Sequence, residues 1–217
     1  MNKTVTLFGS TGLIGSEVLK LLINDNYFEN INIISRKKIS LDSKKIKNYT
    51  INFSNLEEYK KVISKDHIVI ASIGTTQSKV NFNKTEYRKV DYDILLNIAK
   101  ACKSNKASSF CFVSSAGANE KSKNFYLGLK GEIENSIMHI GLKTCLIFRP
   151  SLLLGKRSEF RFGEILAKKI MPLFSFLIKF DYKPIKADEV AKSIVNECKK
   201  IVSGNKIYHY SEMKNSN

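Results

Sequence analysis

Short apolar runs alternate with amphipathic segments along most of the chain. Between the runs, apolar residues recur at helical spacing, for example at Tyr87, Val90, Ile94, Ile98 and Ala101. The runs themselves predict strands at 5–8, 31–35, 49–53, 67–71, 109–114, 144–148 and 206–210. This repeated order of strand and helix predicts an α/β fold, with a doubly wound parallel sheet and helices on both faces.

The predicted elements form one continuous pattern. Runs such as HIVIA and TCLIF are apolar throughout, as expected of strands covered on both faces. After residue 150 the alternation weakens into helices and loops. We therefore predict a single domain over residues 1–217, with a small C-terminal subregion at 151–205.

Lysine dominates a strongly basic composition. Lys and Arg total 36 against 20 Asp and Glu, which gives a net charge of +16, yet only five arginines occur. A protein that reads bases usually concentrates arginine on one element, whereas lysine is scattered along this chain. The composition therefore argues against nucleic acid as the main partner and favours lysines on solvated faces.

Cysteine usage and apolar content set expectations for the compartment. Cys102, Cys111, Cys145 and Cys198 form no CxxC pair, and the three histidines lack metal-ligand spacing, so we expect neither disulfides nor a metal site. The first residues lack the apolar block of a secretory leader, and no apolar run is long enough to span a membrane. We expect a reduced, cytoplasmic protein.

A glycine-rich turn, GSTGLIG, joins the first predicted strand to the first helix. Gly9 permits a tight turn, Gly12 lets the backbone approach a pyrophosphate, and Gly15 lets the helix pack close to the sheet. Unpaired N–H groups at the start of the helix attract the anion. The stretch predicts a site for a phosphate-bearing dinucleotide.

The second predicted strand ends in a basic cluster. Sites that prefer NAD often carry an acidic residue here for the ribose hydroxyls, but this chain has Arg36, followed by Lys37. A guanidinium can bind a 2′-phosphate. We therefore predict NADP(H), with NAD(H) as the less favoured alternative.

A tyrosine and a lysine lie four residues apart in FYLGLKGEIE. On a helix, Tyr126 and Lys130 share one face, and an ammonium beside a phenol stabilises the phenolate, so the tyrosine is a candidate general acid. The preceding strand ends in Ser114 and Ser115, at the sheet edge where ligands of such folds bind.

Together these segments resemble the short-chain dehydrogenase/reductase superfamily. GSTGLIG is similar to the GxxGxxG of its extended and atypical members, VSSAG followed by YxxxK to its catalytic strand and helix, and FRPSLLLG to its RPG-type segment. SIGTT, VDYDILLNIAKACK and IFRPSLLLGKR resemble the atypical branch that contains a human Tat-interacting oxidoreductase-like protein and its fungal mitochondrial relatives. The resemblance covers roughly residues 3–200.

The resemblance implies a Rossmann-like NAD(P)-binding domain and a role for each matching residue. Ser115 would orient a carbonyl, with Ser114 as its less favoured substitute, Tyr126 would donate the proton, and Lys130 would also hold the nicotinamide ribose. The implied cofactor-binding residues are Gly9, Ser10, Thr11, Gly12, Leu13, Ile14, Gly15, Arg36, Lys37, Ala71, Ser72, Ile73, Gly74, Tyr126, Lys130, Pro150, Ser151 and Leu152.

Two positions depart from the pattern of the superfamily. Asp91 stands where many members carry the Asn of a structural or proton-relay site, which puts that relay in doubt. Ser151 replaces the usual Gly after Arg149 and Pro150, which narrows the space expected near the nicotinamide.

The function implied is an NADP(H)-dependent oxidoreductase acting on a small carbonyl or alcohol. The alternative is an NADP(H)-binding regulatory or assembly protein without turnover, and an intact Ser–Tyr–Lys set favours the enzyme. The region at 151–205 would lie on the substrate side, and its aromatic-rich segment 171–180 would pack there or contact a protein or membrane surface. Both a monomer and a homodimer fit the sequence.

Overall fold

The main sheet is parallel and built from strands distributed along the whole chain. The computed structural model describes residues 3–41, 43–154, 182–200 and 202–216. Within these ranges the strands are β1 Lys3–Phe8, β2 Phe28–Ser35, β3 Ile46–Thr50, β4 Ile68–Ala71, β5 Ser109–Val113, β6 Thr144–Phe148, β7 Leu153–Leu154, β8 Ile185–Lys186 and β9 Gly204–Tyr208. The sheet order is β3-β2-β1-β4-β5-β6-β9, while β7 and β8 pair separately.

Helices connect these strands and cover both faces of the sheet. They are α1 Leu13–Asn24, α2 Leu56–Val62, α3 Lys84–Arg88, α4 Ile94–Ser104, α5 Phe125–His139, α6 Ala187–Glu197 and α7 Tyr210–Asn215. A π-helical turn, Lys89–Asp93, joins α3 to α4, and a short 3-10 helix spans Ser78–Val80. Among the described helices, none is long and apolar enough to cross a membrane.

Two apolar layers hold the helices to the sheet. In β1, Val5 and Leu7 point into a core shared with α1 and α6, while Phe8 points into a second core shared with α2, α4 and α5. All three side chains are fully buried. This alternation follows from the two-residue period of a strand. Because helices cover both faces of the sheet, a central strand such as β4, with the sequence IVIA, is apolar throughout.

The predicted α/β fold, a doubly wound parallel sheet with helices on both faces, is confirmed, and one difference lies at the sheet edge. The third strand begins at Ile46 rather than at residue 49, and it ends at Thr50. Its first residues include Lys47 and Asn48, whose polarity hid them from an apolar pattern. Among the described strands, β3 pairs with β2 alone, so it has an edge that tolerates polar residues.

The helix over residues 84–104 departs from a uniform α-helical period. Of the predicted apolar face, Tyr87, Ile98 and Ala101 are buried. Around the π turn, however, Asp91 and Leu95 are buried, while Val90 and Ile94 are only partly covered. The π turn at Lys89–Asp93 contains an extra residue and shifts the inward face by one position. Asp91 is thereby turned into the protein.

The predicted subregion at 151–205 is described in part. Its described residues contain the β7–β8 pair, whose residues Leu153 and Ile185 lie in register, and α6, which packs on α1. The aromatic-rich segment 171–180 lies outside the described residues.

Candidate active site

The strand order reverses beside β1 and opens a crevice at the carboxyl edge of the sheet. β1 lies between β2 and β4, so the chain leaves these neighbours toward opposite faces. In open α/β sheets, ligands bind outside the strand ends at this point. The glycine turn 9–15 follows β1, and the segment 72–76 follows β4, so the two border the same crevice.

The glycine turn is packed against the segment that follows β4. Gly9 has a φ of +83°, and a Cβ there would lie 2.7 Å from the Ser72 carbonyl oxygen. A Cβ at Gly15 would overlap the Gly9 carbonyl and the Ser72 hydroxyl, which itself donates to the Gly9 carbonyl at 3.2 Å. Neither position accepts a larger residue unchanged, so the first turn of α1 is held close to the sheet.

The same turn fits the pyrophosphate of a dinucleotide. The Ser10 hydroxyl is buried and has no hydrogen-bond partner among the described residues, so it is available to an acceptor that comes from outside the chain. At Gly12, which caps the start of α1, an added Cβ would lie 3.3 and 3.6 Å from the backbone oxygens of Gly9 and Ser72. The first turn of α1 contains no acidic residue to repel an anion.

Arg36 and Lys37 are exposed at the carboxyl end of β2, beside β1 and its glycine turn. The Ser35 hydroxyl donates to the Lys37 carbonyl at 2.6 Å and bends the chain there. Within the part of the chain that the structure describes, Arg36 pairs with no carboxylate. Its guanidinium is therefore available to a ligand anion at this edge.

Tyr126 and Lys130 lie in the first half of α5. Asn124 caps the helix by accepting from the Leu127 N–H at 3.1 Å. The Lys130 ammonium nitrogen lies 5.9 Å from the centroid of the Tyr126 ring. The sequence-predicted pairing on one helix face is therefore present, with Tyr126 half-buried and Lys130 buried.

Asp91 forms a buried ion pair with Lys130. Its Oδ1 lies 2.8 Å from the Lys130 Nζ, and its Oδ2 accepts from the Thr75 N–H at 2.7 Å. The side chains of Asp91 and Lys130 are 2% and 5% exposed. Sequence reasoning singled out Asp91 only as a departure from the superfamily. The available signal was a charged residue within an apolar helical segment.

Sequence reasoning missed Glu134, whose carboxylate accepts a hydrogen bond from one of the two candidate serines. The Ser114 hydroxyl donates to the Glu134 carboxylate, and the Arg149 Nε donates to both oxygens of that carboxylate at 3.1 Å. Ser115 is partly exposed, and among the described residues its hydroxyl bonds only to the adjacent Ala116 carbonyl, at 3.2 Å. Ser115 is thus the serine whose hydroxyl can turn toward a ligand.

The segment after β6 lies beside the loop that follows β5. The Ala116 N–H donates to the Pro150 carbonyl at 2.9 Å, the Ser151 hydroxyl donates to the Lys183 carbonyl, and the Ile185 N–H donates to the Leu152 carbonyl at 3.0 Å. These bonds join residues 150–152 to the loop after β5 and to the start of β8.

The cysteines are poor nucleophiles in this fold. All four are buried, and burial raises the pKa of Cys145 and of Cys198 to about 12. Their thiols therefore stay protonated at neutral pH. Among the described residues, no group of three or more His, Cys, Asp and Glu side chains could hold a metal ion.

Comparison with known proteins identifies the class. A family described as NAD(P)H-binding matches residues 9–142, so the chain belongs to this family. More narrowly, it is an atypical short-chain dehydrogenase/reductase. It is 33% identical over 196 residues to "Protein FMP52, mitochondrial" of Debaryomyces hansenii, covering 88% of this chain and 85% of that protein. It is 31% identical to "Protein HTATIP2" of Rattus norvegicus, covering 77% and 70%.

Solved structures share the fold at low sequence identity. A UDP-N-acetylglucosamine 4-epimerase from Methanobrevibacter ruminantium superposes with a TM-score of 0.73 at 16% identity, covering 96% of this chain and 76% of that one. The enzyme WbmH of Bordetella bronchiseptica, solved in complex with NAD+, gives 0.73 at 16% identity, covering 97% and 76%. The predicted Rossmann-like architecture and superfamily are confirmed.

The expected cytoplasmic location is wrong. Fungal relatives from Debaryomyces hansenii, Scheffersomyces stipitis and Candida albicans all carry names that call them mitochondrial. The expectation rested on cysteines that form no CxxC pair and on first residues without the apolar block of a secretory leader. These distinguish a reducing compartment from an oxidising one, but they do not distinguish among reducing compartments.

Proposed function

We propose that this protein is an NADP(H)-dependent oxidoreductase that reduces a small carbonyl compound to an alcohol. When bound, a reduced nicotinamide would supply the hydride to the carbonyl carbon. Tyr126 donates its phenolic proton to the carbonyl oxygen, which balances the reaction, and Ser115 donates a hydrogen bond to the same oxygen.

The remaining residues bind and orient. The backbone of the turn 9–15 and the Ser10 hydroxyl hold the pyrophosphate, and Arg36, assisted by Lys37, holds the 2′-phosphate. Ala71, Ser72, Ile73 and Gly74 border the cofactor after β4, while Pro150, Ser151 and Leu152 lie against the nicotinamide. Lys130 would contact the nicotinamide ribose, and its ammonium would stabilise the phenolate that Tyr126 becomes after it donates its proton.

One observation carries this proposal. Lys130 lies 5.9 Å from the Tyr126 ring centroid, on a helix that begins at the same sheet edge as the glycine turn. A protein that only binds a dinucleotide has no chemical need for a phenol and an ammonium held together at this edge. The arrangement therefore favours turnover over binding alone.

Comparison of Tyr126→Phe with the parent tests the proposal. NADPH oxidation is followed with a panel of aldehydes, ketones and quinones, and NADPH binding is followed by calorimetry. We expect turnover to fall by at least about a hundredfold, with NADPH affinity nearly unchanged. Tyr92→Phe is the matched control, because it removes a phenol hydroxyl that bonds to Ser136 at 2.9 Å, away from Lys130.

Two outcomes would contradict the proposal. Full activity in Tyr126→Phe would exclude the phenol as the proton donor. NADPH binding by the parent without reduction of any carbonyl in the panel would instead support a cofactor-binding protein without turnover.

A further inference from the structure

The ion pair between Asp91 and Lys130 is buried. Both side chains are at least nine-tenths buried, and the carboxylate is shared between the Lys130 Nζ at 2.8 Å and the Thr75 N–H at 2.7 Å. Removing one partner of such a pair leaves an uncompensated buried charge. The two groups therefore hold each other, and the carboxylate fixes where the ammonium lies.

The backbone around Asp91 is built to produce this contact. Asp91 lies in the π turn Lys89–Asp93, which shifts the inward face of the helix by one residue. Such turns carry an extra residue and occur frequently at functional sites. Its second contact, Thr75, follows the segment 71–74 that borders the proposed cofactor site. One carboxylate thus joins this segment to α5.

We propose that Asp91 is a positioning residue of the reductase: its carboxylate fixes the Lys130 ammonium for the ribose contact and balances its charge beside Tyr126. This inference rests on the proposed function, because it assigns a task to Lys130 toward the cofactor. Asp91 itself acts through Lys130 and does not need to contact substrate or cofactor.

Other ionisable groups around this pair have their own partners. Tyr87 of α3 stacks edge-on against Tyr126, with ring centroids 6.5 Å apart, and its hydroxyl donates to the Thr75 carbonyl at 3.2 Å. On α5, Glu134 is held by Ser114 and Arg149. Asp91 is therefore the carboxylate that compensates Lys130 among the groups described here.

A double-mutant cycle on NADPH affinity tests the proposal in the full chain. The variants are D91N, K130M and D91N/K130M, and the matched control is D93N, which removes an exposed carboxylate from the same π turn. We expect D91N and K130M each to weaken NADPH binding about tenfold, D93N to equal the parent, and the double variant to bind like K130M alone. Such non-additivity would show that Asp91 acts through Lys130.

The pH profile of carbonyl reduction provides a readout that a purely structural role would not move. In D91N the ammonium loses the Asp91 carboxylate while it stays near the phenol, so we expect the alkaline limb of the rate to move to lower pH. The D93N profile should match that of the parent.

The outcomes separate this inference from the proposed function. A parent that binds no dinucleotide overturns both. Normal parental binding with D91N equal to D93N in affinity and pH profile overturns the role of Asp91 alone. If D91N does not fold, K130M and D91N/K130M decide, because the double variant removes both buried charges. Equal NADPH affinities of K130M and D91N/K130M support the proposal. Weaker NADPH binding by the double variant than by K130M overturns it.

Discussion

The Ser114 hydroxyl donates to the buried carboxylate of Glu134, four residues after Lys130 on α5. The same carboxylate accepts from Arg149, which follows β6. The Glu134 side chain therefore links α5 to the residues that follow both β5 and β6. Of the two adjacent serines, Ser114 therefore has a structural contact, which is why we propose Ser115 as the serine that acts in catalysis.

Alanine variants of the two serines should separate stability from turnover. Ser114→Ala removes a hydrogen bond to a buried charge and should lower the free energy of unfolding by roughly 1.5–3 kcal/mol. Ser115→Ala should leave stability nearly unchanged and lower carbonyl reduction about a hundredfold, because it removes a donor to the reacting oxygen. Urea unfolding and initial rates measure both effects. Loss of turnover in Ser114→Ala alone would reverse the assignment.

Substitutions of two glycines in the turn should have different effects, one on NADPH binding and the other on stability. Gly12→Val places a branched side chain where the pyrophosphate would lie, so we expect NADPH binding to disappear while the circular dichroism spectrum stays that of the parent. Gly15→Ala pushes a methyl group into the Gly9 carbonyl, so the free energy of unfolding should fall by about 1–3 kcal/mol or more. Undiminished NADPH binding in Gly12→Val would move the cofactor site elsewhere.

Arg36 should determine the choice between NADPH and NADH. One charge-assisted contact to the 2′-phosphate should favour NADPH roughly ten- to a hundredfold, and rising salt should reduce this preference because the contact is exposed. Arg36→Asp should abolish the preference, since a carboxylate repels the 2′-phosphate and accepts from a free 2′-hydroxyl. Lys38→Asp makes the same charge change two residues later and should keep most of the preference. Equal parental dissociation constants for the two nucleotides would show that Arg36 does not bind the 2′-phosphate.

His67 should make the fold sensitive to mild acid. Its Nδ1 accepts from the Ser64 N–H at 3.2 Å and lies 2.9 Å from the Thr6 hydroxyl, and burial lowers the pKa of His67 below its usual 6.5. The unfolded chain therefore binds the proton first as the pH falls. The contribution of neutral His67 to stability is complete above pH 6.5 and is lost as the pH falls from there toward the folded-state pKa.

Thermal unfolding at several pH values between about 7.5 and 5 measures this loss. His67→Asn retains an acceptor but cannot be protonated, so its midpoint should depend less steeply on pH than the parental one. Parallel pH dependences for the two proteins would assign the acid sensitivity to other groups.

The central strands and the glycine turn could be predicted because each depends on local sequence. β4 is buried along its whole length, so its apolar run is unbroken, and the turn at Gly9 requires a positive φ that glycine adopts easily. The predicted bounds of the edge strand β3 were wrong, because its open side lets polar residues lie within the strand.

The contacts that organise the candidate site could not be predicted in the same way. Asp91 meets Lys130, and Glu134 meets Ser114 and Arg149, only after separate helices and strands have packed. The pattern of apolar residues also changes little when a helix contains one extra residue. It therefore placed Val90 rather than Asp91 on the buried face. Tertiary proximity decided both cases.

The π turn makes the candidate site sensitive to the length of the chain as well as to its side chains. Deleting the exposed residue Asp93 would let residues 84–104 close into an ordinary α-helix, and Asp91 would turn by about 100° around the axis relative to α4. Val90 would then take the inward position that its apolar character suits. The helix would gain regularity while Lys130 lost its carboxylate, so a shortening that improves local helix geometry would disable the site.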